Sequence, residues 1–315
     1  MHEQEIAGIL EADDIDFDKY LKETDTAEKV RPVIDYLDQV MHELSPAFAE
    51  ARGPRLPFAN AWVNFAPGEV TLWGGYNSSG KSLLTGQIVT GFAQAGESVC
   101  IASLEMRPRK TLARIGKQAF GTTTPTKEQV KGFLQGMQGK MWIFDHVGSI
   151  KPERLVAVVK YCADALKIKH FVIDNLTACI ESDDDFNAQK RIMLAICAAA
   201  RDLDIHIHVV VHFRKDKNEE GRPSRMDIKG TGAITDLVDQ VLLVWRNRRK
   251  ERLAKAGDDS AAGEADTLLI CDKNRNGEWE GDIQLWYEPH ILRFTDKPDT
   301  RRGLARSLSP AKGKQ

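Results

Sequence analysis

With 315 residues, 42% of them hydrophobic and 29% charged, the chain can bury a substantial core and has an ordinary globular composition. A formal net charge of −2 excludes a polycation, so any nucleic-acid contact must come from local basic patches. The five scattered cysteines form no CxxC pair, no apolar run reaches membrane-spanning length, and the acidic start is unlike a signal peptide; a zinc site, a disulfide framework and a membrane are not expected, and a cytoplasmic location is.

Residues 1–25 are strongly acidic and expected to be at most partly ordered. Over 26–44, Val30, Val33, Ile34, Leu37, Val40, Met41 and Leu44 form a helical stripe with Thr26 as candidate N-cap. A Pro- and Gly-containing loop separates that helix from the elements beyond it, so its apolar face must be buried on its own domain or on a neighbouring subunit. From residue 69 strands and helices alternate: "EVTLWGG", "GKSLLTGQIVTGFAQAG", "SVCIASLE", "RPRKTLARIGKQAFG", "TKEQVKGFLQGM", "KMWIFDHVG", "KPERLVAVVKYCADALK", "HFVIDNL", "NAQKRIMLAICAAARDLD" and "IHIHVVVHF". After a polar loop come the strands "QVLLVWRN", "DTLLICDKN", "DIQLWYE" and "ILRFTD". Near-continuous apolar strands alternating with helices predict an α/β fold with a mainly parallel twisted sheet covered on both faces. The division expected is an N-terminal segment 1–54, an α/β domain 55–296, and a basic, disordered tail 297–315.

The stretch Gly75-Tyr76-Asn77-Ser78-Ser79-Gly80-Lys81-Ser82 comes after an apolar strand and opens a helix, the context in which G-x-x-x-x-G-K-[ST] is a phosphate cradle. Backbone N–H groups from Asn77 to Ser82 can wrap a β-phosphate at the helix N-terminus, Lys81 can reach the β and γ oxygens, and the Ser82 hydroxyl can ligate Mg²⁺. Asp174 ends the buried strand "HFVID" on the sheet edge where nucleotides bind, and is either a second magnesium element or a helix N-cap. Glu105 ends the strand after the cradle helix; it is a candidate base for the attacking water or a surface partner of Arg107 or Arg109. His212 reaches the same edge on the next strand and can sense a γ-phosphate. His206 and His208 alternate on that strand, as core histidines or as a metal pair.

Strand, cradle and helix, then "SLEM", "VIDNL" and "VVVHFRK", resemble the RecA-like motor of DnaB-type ring helicases. The likeness is greatest to the phage replicative and mitochondrial Twinkle branch, where histidine replaces the glutamine of bacterial DnaB. "GRPSRMDIKGTGAITDLVDQVLLVWRN" resembles the family's DNA-binding loop and following strand, and "DKNRNGEWEG" its terminal finger; the likeness runs from about 55 to 296. It implies a RecA-like P-loop NTPase fold, ATP or another NTP with Mg²⁺, and a homo-oligomer, expected to be a hexameric ring, encircling single-stranded DNA. It implies that Arg275, with Lys273 beside it, acts across the subunit interface. Among Arg222, Arg225, Lys229, Gly230 and Gly232 in the basic loop, the last three match the family's strand contacts. The loop suits a sugar–phosphate backbone and carries no aromatic stacking residue. Arg246 and Tyr287 align with residues that sandwich the base, although Tyr287 also fits a packing role. The acidic loop "ESDDD" corresponds to a second pore-facing loop. With no primase or zinc region and a short N-terminal segment, the expectation is a stand-alone motor with a separate primase or loader, in a bacterial or phage-infected cell. Two rivals share the core: a RecA/RadA-like recombination ATPase, and a single-strand-binding or loader ATPase that uses ATP as an assembly switch.

Overall fold

Most apolar runs of the sequence become strands buried along nearly their whole length, while the strand Gly281–Glu288 buries only Ile283 and Leu285. The computed structural model describes residues 9–10, 15–20, 32–45, 53–58, 62–180, 185–214, 219–230 and 232–298. Its strands are β1 (Ile9–Leu10), β2 (Val70–Gly74), β3 (Val99–Ser103), β4 (Met141–Phe144), β5 (His170–Asp174), β6 (His206–Val210), β7 (Gln240–Arg246), β8 (Thr267–Asn274), β9 (Gly281–Glu288) and β10 (Arg293–Thr295). They form one sheet in the order β1-β4-β3-β5-β6-β2-β7-β8-β9-β10. Strands from β1 to β7 pair in parallel, and β8, β9 and β10 add antiparallel to the β7 edge. The links from β8 to β9 and from β9 to β10 are too short for a parallel return, which needs a crossover of about a dozen residues, whereas the link from β7 to β8 is longer and carries a helix (Arg248–Lys255).

The helices are α1 (Phe17–Tyr20), α2 (Leu37–Glu43), α3 (Lys81–Ala95), α4 (Pro108–Phe120), α5 (Lys127–Gly136), α6 (Pro152–Ala165), α7 (Phe186–Leu203), α8 (Gly232–Leu237) and α9 (Arg248–Lys255). One face of the sheet is packed by Leu84, Ile88 and Phe92 of α3, Ile115 of α4 and Phe133 of α5. The other is packed by Leu155, Val158 and Cys162 of α6 and Ile192, Met193 and Ile196 of α7. Local chemistry sets the boundaries. Gly80 (φ 97°) and Gly96 (φ 109°) bracket α3 in the left-handed region, and Thr126 and Gln129 close a reciprocal capping box on α5. Neither α8 nor α9 is foreseen by periodicity: α8 is six residues long, and "RRKERLAK" of α9 buries none. The start of α9 is fixed by the Asn247 side chain, which accepts from the Lys250 N–H.

Residues 33–43 are helical, as a 3-10 turn at Val33–Tyr36 leading into α2. Their apolar stripe is not packed on the motor: Val33 is 90% exposed, Ile34 68% and Met41 60%. The Thr26 cap, the loop at 181–184 and the tail beyond 298 lie outside the described residues. The short parallel strand β1 and α1 come from the acidic stretch expected to be at most partly ordered, with the Tyr20 hydroxyl donating to Asp164 at 2.9 Å.

His206 and His208 are core residues. With His170 across the β5–β6 pair they form a buried imidazole layer against Phe65 and Phe92. One ring nitrogen of His206 lies 2.7 Å from the Ala66 carbonyl oxygen and the other 2.9 Å from the Thr71 hydroxyl. The Trp73 indole N–H donates to His208 Nδ1 at 3.3 Å, and His170 Nδ1 lies 3.3 Å from His208 Nε2. Burial pushes His170 down to about 3, His206 to about 4 and His208 well below its ordinary value, so all three are neutral.

Candidate functional site

The predicted cradle forms at the carboxyl end of β2, between β6 and β7. Gly80 takes φ 97° and Ser78 φ 61°, which curls the loop back over the start of α3. A Cβ at Gly75 would stand 2.7 Å from the Val244 carbonyl oxygen, and one at Gly80 2.8 Å from the Phe294 ring, so both positions require glycine. Lys81 Nζ donates to the carbonyls of Gly75 (2.8 Å) and Tyr76 (2.9 Å). Burial lowers Lys81 to about 8, against the opposing pull of Asp174 and Glu105.

The buried Ser79 hydroxyl has no hydrogen-bond partner among the described residues. An orphaned donor inside a loop that curls around the head of a helix, with an ammonium beside it, fits an anionic phosphate. Asp174 lies at the end of β5, paired in register with Ser103, and shares a hydrogen bond with Ser82. Burial raises Asp174 to about 6, because a desolvated carboxylate seeks a counter-charge. A divalent cation held by Ser82 and Asp174 would supply that charge; the donor set is all oxygen, as Mg²⁺ prefers.

A cavity of about 460 Å³ opens beside the loop, lined by Asn77, Ser78, Glu105, Thr177, His212 and Lys229. The structure therefore brings Glu105 and His212 to one cleft, with Glu105 Oε1 3.8 Å from His212 Nε2. Burial first and Lys81 second lower the proton affinity of His212. Asn175, which no sequence motif singles out, stands between the two and contacts both. Its only advance signal is an amide directly after the strand-ending acid. Glu105 takes this partner rather than Arg107 or Arg109.

A second cavity of about 300 Å³ lies on the opposite side of the loop, lined by Ser78, Ser79, Gly80, Arg246, Tyr287 and Phe294 among others. Arg246 is held by Glu251 and donates to the Ser78 carbonyl at 3.2 Å. Tyr287 packs on Phe294 with ring centroids 4.9 Å apart. Both of these residues are thus beside the cradle, and Tyr287 also serves packing.

Lys273 and Arg275 are elsewhere. Asn274 pairs with Gln240 at the start of β7, whose neighbour across the sheet is Thr71 at the start of β2. They therefore sit at the edge opposite their own cradle, separated by the length of a strand. Lys273 Nζ donates to the carbonyls of Thr235 (2.8 Å), Asp236 (3.1 Å) and Val238 (2.7 Å), capping the end of α8. Arg275 pairs with Asp239 at 3.2 Å and donates to the Asp236 carbonyl at 2.7 Å.

The basic loop divides. Arg222 is bidentate to Asp282 at 3.0 and 2.6 Å, and Arg225 donates to the Asp272 backbone carbonyl at 3.0 Å, so these two cations staple the loop to β8 and β9. The Lys229 N–H donates to the His212 carbonyl at 2.8 Å, and the Gly230 carbonyl accepts from Arg214 at 2.9 Å. Gly232 opens α8. Gly230 takes φ 123°, and a Cβ there would collide with Gln189 and lie 2.7 Å from Ile234. Gly230→Ala is expected to cost about 1–3 kcal/mol in a denaturant titration; an unchanged midpoint would contradict that strain.

A curled glycine loop at the head of a helix, a strand-ending acid bonded to the loop's serine, and a parallel sheet behind them define a P-loop NTPase. Family comparison is more specific: residues 60–296 match the model for the DnaB-like helicase C terminal domain, and the chain belongs to that family. Among solved structures it is similar to an ATPase domain, at 16% identity and TM-score 0.65, covering 85% of this chain and 100% of that one. It is also similar to a DnaB-like replicative helicase described with its interactions with primase, at 16% identity and TM-score 0.61, covering 84% of this chain and 67% of that one. At that identity the structural likeness supports the RecA-like fold; the family match carries the helicase class. A search of the curated proteins finds no match. No described helix is long and apolar enough to cross a membrane.

Proposed function

We propose that this chain is the motor of a hexameric, ATP-driven replicative DNA helicase that translocates on single-stranded DNA. The observation that carries the proposal is the separation of the finger from its own cradle. Lys273 and Arg275 are pinned at the opposite sheet edge, so Arg275 can serve only a nucleotide bound by another subunit. In that arrangement the cradle from Asn77 to Ser82 holds the phosphates, and Arg246 and Tyr287 flank the base. Ser82 and Asp174 hold Mg²⁺, which would screen the phosphate charge when bound. Glu105 orients the attacking water and accepts its proton, and His212 contacts the γ-phosphate. Lys229 and Gly230 are tied to His212 through the Lys229–His212 backbone bond, and present the Lys229 ammonium and the Gly230 N–H to a DNA backbone. Arg222 and Arg225 hold that loop in place. The bare apolar stripe at 33–44 docks on an adjacent subunit, which buries in the ring what one chain leaves exposed. A separate primase or loader completes the system, in a bacterial or phage-infected cell.

Mass photometry with ATPγS, Mg²⁺ and oligo(dT) tests the assembly: closed six-subunit particles are expected, and open-ended filaments would favour the recombinase alternative. Glu105→Gln is expected to keep nucleotide affinity and to lose about 10²–10⁴-fold in kcat, read from steady-state ATP hydrolysis. Retention of wild-type turnover would remove Glu105 from the base role and favour an assembly switch.

A further inference from the structure

Asn175 fills its hydrogen-bonding capacity in one place. It comes directly after Asp174 at the end of β5 and is 1% exposed. Its Oδ1 accepts from the Thr177 backbone N–H at 3.0 Å and from the Thr177 hydroxyl. A backbone N–H can only donate, so the amide orientation is fixed, with Nδ2 facing the cleft. Nδ2 then donates its two hydrogens to Glu105 Oε1 at 2.5 Å and His212 Nε2 at 2.7 Å. His212 Nε2 must therefore present a lone pair, and the neutral ring carries its proton on Nδ1. That Nδ1 is buried and has no hydrogen-bond partner among the described residues. The Glu105–His212 separation of 3.8 Å is too long for a direct hydrogen bond, so Asn175 is what joins them.

We propose that Asn175 is a positioning residue that latches Glu105 to His212 before nucleotide engagement, and that contact between His212 and a γ-phosphate must break this latch. The proposal rests on the roles given to Glu105 and His212 under the helicase reading. A phosphate oxygen accepts hydrogen bonds, so His212 can meet it through Nε2 only with a proton on that nitrogen. An Nε2 that carries the proton cannot also accept from Asn175. Engagement moves the imidazole proton from Nδ1 to Nε2, or adds one from solvent, and the Asn175–His212 bond is lost. Glu105 keeps only its bond from Asn175, now without His212 bracing the same amide, and that single bond can break to let Glu105 turn toward water. Because the Lys229 N–H bonds the His212 carbonyl, a pull on the basic loop acts on the same latch.

The test uses the full chain with ATP, with and without oligo(dT). Asn175→Ala is expected to raise DNA-independent turnover about threefold or more and to shrink the DNA stimulation by the same factor, with KM within about twofold. An equal fall of both rates, or no change in either, would overturn the latch. Solid-state NMR with ¹⁵N-histidine, assigned by difference against His212→Gln, reads the tautomer directly. Nucleotide-free wild type should show an unprotonated Nε2, and ATPγS with Mg²⁺ should protonate it; a protonated Nε2 before nucleotide would sink the proposal. Should Asn175→Ala fail to fold, Asn175→Asp keeps the acceptor for Thr177 and turns an oxygen toward Nε2, and it should show Nε2 protonated without nucleotide. If wild type hydrolyses no ATP, the helicase reading fails while the tautomer measurement still decides the latch.

Discussion

On the trans role proposed for Arg275, Arg275→Ala is expected to lower ATP turnover by about 10³-fold or more while leaving nucleotide binding in place, because a guanidinium in that role would stabilise charge only in the transition state of the neighbouring subunit. The physical reason is where β8 ends. Lys273 and Arg275 leave the sheet beside the start of β7, whereas the cradle leaves it beyond the end of β2. Lys273 caps the carbonyls that close α8, and Arg275 is anchored to the Asp236 carbonyl of α8 and to Asp239 of the connection into β7. The finger therefore moves with α8 and with the loop that precedes it. Mixing supplies the decisive form of the experiment. Lys81→Ala subunits lack the phosphate ammonium but keep the finger, and Arg275→Ala subunits have the reverse defect. Random mixed rings made from equal amounts should regain activity at about a quarter of their interfaces, those that pair an intact cradle with an intact finger. No recovery from two separately inactive variants, in rings shown to mix, would place Arg275 in cis. Loss of the Asp239 partner has a separate cost, which a thermal melt of Arg275→Ala separates from the loss of turnover.

Lowering the pH from 7.5 to 5.5 is expected to cost about 3 kcal/mol of folding stability. His170, His206 and His208 are buried neutral, with folded pKa values well below the ordinary 6.5. The unfolded chain therefore binds protons that the folded chain refuses. Stability is full above pH 6.5 and falls as pH drops through that value, by roughly 1–2 kcal/mol per histidine over these two units, or about 4 kcal/mol together. Asp174 opposes this: its pKa of about 6 lies above the unfolded value, so the folded state gains a proton first and recovers about 1 kcal/mol by pH 5.5. Denaturant midpoints measured across that range test the sum. A flat profile would mean that at least two of the three imidazoles take up protons in the folded protein as readily as in the unfolded chain. His170→Phe should remove about a third of the histidine contribution.

The strands and the cradle were legible because each carries its signal locally. Strands β2 to β10 fall within the runs identified by apolar pattern, except that β9 begins one residue earlier at Gly281, and the Gly75–Ser82 spacing placed both the loop and α3. The acid at the end of β5 and the histidine after β6 were placed on one edge by the parallel alternation alone. What the sequence concealed depends on partners distant along the chain. Arg222 and Arg225 look like free cations in the sequence because Asp282 and Asp272, their partners, lie dozens of residues away. Asn175 looks like the first residue of a loop, because only folding brings Glu105 and His212 within reach of its amide. The antiparallel edge and the helix α9 were hidden for another reason: strand direction leaves no trace in composition, and α9 lacks a buried stripe.

A fork-unwinding assay measures the central claim most directly: wild-type chain, a labelled DNA fork with single-stranded tails, ATP and Mg²⁺, with Arg275→Ala in parallel. Strand separation that needs ATP hydrolysis and disappears in Arg275→Ala is the predicted result. ATP hydrolysis stimulated by single-stranded DNA without strand separation, or pairing of complementary strands in its place, would contradict it.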